Sequence, residues 1–203
     1  MTAMINIRAA LILILFVVSA MEAGAEDIVF CDSVQLQSGR WAGNLTIPRF
    51  DPNLGSLKAV EMAVDANLSQ RARVENTGSD NSTINSSTES VLTLLLPDAQ
   101  EIKANASLTI FRELQPFDGL EDFSGRSGMD ITKSSSSGKV TYSFQNISGF
   151  VESWPGEKLI LPGTIKSKTS KPSIGISGSA SSQVQTKIGA NVCVSYEYEA
   201  GEH

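Results

Sequence analysis

Histidine is almost missing from this 203-residue chain: the sequence holds one, His203, at its last position. Chain ends are usually poorly ordered, so the interior lacks the commonest general base and the commonest metal ligand. Neither a Ser-His-Asp nor a Cys-His nucleophilic arrangement can be built inside such a fold. Cysteine is scarce too. Cys31 and Cys193 are the two present, and with no histidine near either they lack the spacing of a structural zinc site. Aromatic residues make up 6% of the chain. Its 16 Lys and Arg residues are scattered among 22 Asp and Glu, so no basic stripe marks a nucleic-acid surface. Apolar residues nowhere recur at i, i+3, i+4 and i+7 with caps, which excludes a long amphipathic helix. These absences together argue against an enzyme and against a nucleic-acid partner.

One long apolar run is present, between Arg8 and Glu22, and it spans about 13 residues. That is short of the roughly 20 needed to cross a bilayer. A basic residue precedes it, and Ala23-Gly24-Ala25 supplies the small residues a signal peptidase requires. The pattern predicts a secretory signal peptide over 1–25 and a mature domain over 26–203; an uncleaved N-terminal anchor is the alternative. After Tyr198 the sequence ends without an apolar tail, so no transmembrane anchor is expected after cleavage. A secreted or extracellular location follows, with possible association with the cell surface.

Export would let a Cys31–Cys193 disulfide persist. It would close a loop of some 160 residues, which the chain-entropy model values at about 4 to 5 kcal/mol. Because both cysteines lie in apolar alternating segments, two buried thiols in separate strands are the competing reading. A disulfide would require the first and last strands to be neighbours.

Period-two alternation dominates the mature chain. Val140, Tyr142 and Phe144 alternate with Thr141, Ser143 and Gln145; Ile102 to Ile110 and Val192 to Tyr198 do the same. Such runs read as strands with one buried face. Val60, Met62 and Val64 mark another strand, Leu68, Ala72 and Val74 a weaker one, and Ser90 to Leu96 a more buried one. Ile174, Ile176, Ala180 and Val184 fall on one parity of a Gly/Ser-rich stretch, as in a thinly packed strand or edge. Turn chemistry separates the runs at 51–55, 76–81, 116–119, 134–138 and 154–156. Leu161-Pro-Gly-Thr164, which is not a sortase signal, is also expected to be a turn. The polar stretch from Thr77 to Thr88 reads as a surface loop. The expectation is an all-β, single-domain antiparallel β-sandwich, with a partly closed β-barrel as the alternative.

Few groups offer chemistry. Asp118, Glu121 and Asp122 form the densest carboxylate cluster. They could run glycoside hydrolysis as a pair, hold calcium, or simply shape turns; Asp51 and Asn53 form a weaker oxygen pair. Calcium is the one cofactor to consider. Six Asn-x-Ser/Thr sequons occur, at Asn44, Asn67, Asn81, Asn85, Asn105 and Asn146, with Asn81 and Asn85 in the expected polar loop and Asn105 on the polar side of its strand. Trp41, Trp154, Tyr196 and Tyr198 are candidates for stacking on sugars, although alternating aromatics are usually core.

Four stretches carry a resemblance. Trp41 leads into Phe50-Asp-Pro-Asn-Leu-Gly-Ser-Leu57, Val74-Glu-Asn76 closes a strand, Phe117-Asp-Gly-Leu-Glu-Asp-Phe-Ser-Gly-Arg-Ser-Gly128 follows, and Val194-Ser-Tyr-Glu-Tyr198 ends the series. In this order they resemble the choice-of-anchor E domain of bacterial and archaeal surface proteins. The resemblance implies an extracellular β-rich domain with no assigned activity, normally followed by a C-terminal surface anchor that this sequence does not contain. The expected function is a secreted or surface-associated structural or interaction domain, with envelope or extracellular-matrix components or glycans as partners. A carbohydrate- or calcium-binding module is the alternative.

Overall fold

The computed structural model describes residues 25–96, 98–170, 173–174 and 179–201. The expected signal segment therefore lies outside the described residues except for Ala25, as do Ile176 and His203. Ten strands follow in chain order: β1 (Ala25–Ser38), β2 (Trp41–Pro48), β3 (Gly55–Asn76), β4 (Ser82–Leu95), β5 (Glu101–Leu114), β6 (Gly128–Ser136), β7 (Val140–Ser143), β8 (Lys158–Thr169), β9 (Ser173–Ile174) and β10 (Ala180–Ala200). They form two antiparallel five-stranded sheets. One has the order β1-β10-β3-β6, with β7 also on β3, and the other the order β2-β8-β4-β5, with β9 also on β4. The sheets pack face to face as a sandwich and are not closed into a barrel.

Alternation builds the core. In β3 every second residue from Val60 through Val74 points inward, and in β10 Ile188, Ala190, Val192, Val194 and Tyr196 meet them. Leu92, Leu94, Leu159, Leu161 and Ile165 oppose them from the second sheet. Each fully buried aliphatic side chain contributes about 1.5–3 kcal/mol.

Side chains also tie the strand edges of the two sheets. Along one side Asp32 Oδ2 accepts a hydrogen bond from the Thr46 backbone N–H at 2.8 Å. Along the other, Tyr142 Oη donates to the Lys103 carbonyl at 2.8 Å and accepts from its N–H at 3.2 Å, while Lys133 Nζ reaches the Thr109 carbonyl at 3.1 Å. The Tyr142 and Lys133 contacts occupy backbone groups on the β5 edge that would otherwise invite a foreign strand.

Three expectations are corrected. The two segments around Val60 and Ala72 are one continuous 22-residue strand, because Ala66 and Gln70 keep the inward parity unbroken. The stretch from Thr77 to Thr88 is a loop only as far as Asn81. From Ser82 it is β4, whose inward side chains include Ser82, Ser86, Thr88 and Ser90, polar residues that hide the strand from a hydrophobicity reading. Leu161-Pro-Gly-Thr164 lies within β8 rather than in a turn. The β8–β4 ladder stops at Gly163↔Leu94, so Pro162 costs that ladder no hydrogen bond. Gly163 serves packing instead: a Cβ there would stand 2.5 Å from Leu94 Cδ2 and 3.1 Å from the Trp41 ring.

Cys31 and Cys193 form a disulfide and are directly opposed across β1 and β10. The first and last long strands are neighbours, as that bond requires. The bond lies on the outer side of the sheet, since Val192 and Val194 flank Cys193 inward.

Candidate functional site

Two stretches far apart in sequence, Val74-Glu75-Asn76 and Phe117 to Gly128, adjoin at one end of the sandwich. Asn76 ends β3 and organises the turn after it. Its Nδ2 donates to the carbonyls of Asp80 and Gln115, both at 2.7 Å, and its Oδ1 accepts from Gly78 N–H at 3.0 Å. Glu75 faces the other way, onto the outer side of the sheet, where the turn at Phe123-Ser124 covers it completely. Both Glu75 carboxylate oxygens, and the hydroxyl of buried Ser127, lack a hydrogen-bond partner among the described residues.

Arg73, two residues before Glu75 on the same face, stands 4.4 Å above the Phe123 ring centroid, a cation–π geometry. Its Nη1 donates to Gln183 at 3.2 Å, and its Nε lies 3.5 Å from Asp130 Oδ2. Arg71 grips Asp130 with two hydrogen bonds, at 2.8 and 2.6 Å. That contact holds the Asp130 carboxyl below the usual carboxylate range.

The acidic trio is arranged around its own backbone. Asp118 Oδ1 accepts from Leu120 N–H at 3.0 Å, and Asp122 Oδ1 accepts from Ser124 N–H at 2.9 Å and its hydroxyl at 2.7 Å. The Ser124 bonds, the hydroxyl foremost, push the Asp122 carboxyl down. Glu121 is exposed. Among the described residues no three His, Cys, Asp or Glu side chains gather into a metal-binding group. Glu75, the buried acid of this region, is in the sequence a strand-closing residue of Val74-Glu-Asn76 and not a site candidate. Its one signal was a charged residue between the strand-closing Val74 and Asn76.

The aromatic candidates separate sharply. Tyr196 is fully buried and donates to the Pro48 carbonyl at 2.8 Å, and Tyr198 donates to Glu26 at 2.7 Å. Both pack on Phe50, with ring centroids 5.9 and 5.2 Å away. As expected for alternating aromatics they are core, and their place in stacking on sugars is withdrawn. Trp41 is half-buried over Gly43 and Gly163. Trp154 alone of the four stands out, at 61% exposure. It overlooks an open groove of about 570 Å³ lined by Arg49, Leu95, Lys158, Ile160 and Pro162 among others.

The sequon asparagines are spread over several surfaces. Asn81 is exposed just before β4. Asn85 lies on the exposed side of β4, opposite Phe111, rather than in a loop. Asn105 is exposed on β5 as expected, and Asn44 is exposed on β2. Asn146 bonds Ser148, the hydroxyl residue of its own sequon, at 2.8 Å.

No family model and no curated protein matches the chain. Among solved structures it is similar to that of infectious bursal disease virus Gx strain, at 12% identity over 86% of this chain and 37% of the other, TM-score 0.21. It is likewise similar to the VP2 subviral particle of that virus, at 9% identity over 86% and 37%, TM-score 0.21. The chain thus spans just over a third of those chains, and likeness at this level carries no argument about function.

Proposed function

We propose that this chain is an extracellular or cell-surface domain that acts by holding shape and presenting surfaces, not by catalysis. The observation that carries the reading is the Cys31–Cys193 disulfide on the outer side of the first sheet. A thiol pair so placed stays oxidised outside the cytoplasm, whereas glutathione and thioredoxin keep such pairs reduced within it. The signal pattern over 1–25 supports the same compartment, and the resemblance to choice-of-anchor E domains supports a surface setting. No helix among the described residues is long and apolar enough to cross a membrane. The chemistry present is positional: charged side chains hold turns, and hydroxyls and amides hold strands.

Fractionation of the native cells into medium, envelope and cytoplasm, with thiol alkylation before mass spectrometry, tests this. The expected result is protein in the medium or envelope, without the 25-residue leader, and with both cysteines protected. Cytoplasmic protein with alkylatable Cys31 and Cys193 would overturn it.

A further inference from the structure

We propose that the groove beside Trp154 binds a linear anionic polysaccharide of the uronic-acid type, laid along the outer face of β8. The inference rests on the extracellular reading above and names the partner that such a domain would hold.

Trp154 is presented to solvent by a built loop. Glu157 N–H closes the turn on the Trp154 carbonyl at 3.2 Å, with Pro155 inside it and Gly156 at φ 79°, the geometry a Pro-Gly pair favours. Two carboxylates brace the turn from within: Glu152 accepts from Gly156 N–H at 3.0 Å, and Glu157 accepts from Ser153 N–H at 2.7 Å. Arg49 holds Glu157 by an ion pair at 3.5 Å, and its own N–H donates to the Glu157 carbonyl at 3.1 Å. A backbone braced in this way presents the exposed indole from a fixed turn, which lowers the ordering cost of meeting a ligand.

The groove's walls and charges select the ligand. Ile160 and Leu95 are 56% and 41% exposed, so with the indole they offer apolar contact suited to the C–H faces of sugar rings. Glu157, the acid of the groove, is committed to Arg49 and Ser153. Lys158 is exposed and forms no ion pair among the described residues. Outward parity along β8 carries the strip on through Ile160, Pro162 and Thr164 to Lys166 and Lys168. Lys158 and Lys166 are then roughly 26 Å apart along the strand, room for several sugar rings. Cations at intervals beside an aromatic platform complement a chain that carries carboxylates and apolar ring faces together.

The full disulfide-bonded protein is titrated with polygalacturonate and with alginate, and with neutral dextran as control, by calorimetry and tryptophan fluorescence. Binding of at least one polyuronate is expected, with dextran inert and affinity falling as salt screens the lysines. Trp154→Ala is expected to weaken binding at least tenfold at an unchanged melting temperature, and Lys158→Ala with Lys166→Ala to weaken it several-fold and flatten the salt dependence. Binding to neither polyuronate, or binding unaffected by Trp154→Ala, overturns the proposal. So does sedimentation showing a dimer that Trp154→Ala disperses, which would make the groove a self-association site. Each of these failures leaves the cell-fractionation result untouched, so the polysaccharide and the compartment are tested separately.

Discussion

The carboxylate of Glu75 lies against the backbone of Gly128, its direct partner across β3 and β6: a Cβ at position 128 would stand 2.5 Å from Glu75 Oε2 and 2.5 Å from the Phe123 carbonyl carbon. It would also collide with the Ser124 backbone nitrogen. Gly128→Ala must therefore displace the covering turn. Overpacking of this kind costs about 1–3 kcal/mol, and for a domain of this size each kcal/mol moves the melting temperature by about 2–4 °C. Thermal unfolding by circular dichroism should show that drop. An unshifted melting temperature would mean that the turn yields freely and Glu75 is not locked beneath it.

The disulfide links positions 162 residues apart. The chain-entropy account values such a closure at about 4 to 5 kcal/mol, less any strain. β1 has no fully buried side chain, so the bond is a large part of its tether to β10. Cys31→Ser with Cys193→Ser, or reduction of the native protein, should lower the melting temperature by roughly 10 °C or more. Equal melting temperatures with and without reductant would show that the backbone ladder alone secures the edge.

A polar seam crosses the core where Gln70, Thr88 and Ser90 meet. Gln70 Nε2 donates to Thr88 Oγ1 at 2.7 Å, and Thr88 donates in turn to Thr169 at 3.1 Å. Gln70 Oε1 and Ser90 Oγ have no partner among the described residues. Removing a used partner strands a buried amide and costs about 1–3 kcal/mol, whereas removing an unused hydroxyl costs little. Urea denaturation should therefore find Thr88→Val destabilised and Ser90→Ala unchanged or more stable. Comparable losses in both variants would mean that Ser90 is satisfied after all.

This seam also marks where sequence reading loses the fold. Ile102 to Ile110 and Val192 to Tyr198 were legible because apolar and polar residues alternate strictly, and period two admits one interpretation. On the inward side of β4, Ser82, Ser86, Thr88 and Ser90 stand where apolar residues would be expected, because some of them are satisfied by Gln70 and Asn76 across the sandwich and by Thr169 on the neighbouring strand β8, and that pairing is tertiary. Pro162-Gly163 has turn composition and strand geometry because a neighbouring ladder happens to stop beside it. The cysteine pairing was half-legible. Parity alone puts Cys193 opposite Val192 and Val194, hence outside the core, but only the strand order puts Cys31 beside it. At the candidate sites, the exposure of Trp154 and the burial of Glu75 depend on which loop covers which sheet, and local pattern carries no record of that.

Buried Tyr196 should make the fold less stable at alkaline pH. Burial pushes its phenol above the ordinary value of 10, while in the unfolded chain it ionises near 10. Below pH 10 both states keep the proton, and the stabilisation is fully present. As pH rises above 10 the unfolded state loses its proton first, so stability falls, by up to about 1.4 kcal/mol per pH unit for this one group. Urea midpoints measured from pH 8 to pH 11 should be flat and then decline. Tyr196→Phe should start lower, by about 1 kcal/mol for the lost bond to the Pro48 carbonyl, and decline less steeply, with Tyr198, raised by its bond to Glu26, still contributing. An identical alkaline slope in that variant would mean that another tyrosine, or a lysine, governs the loss.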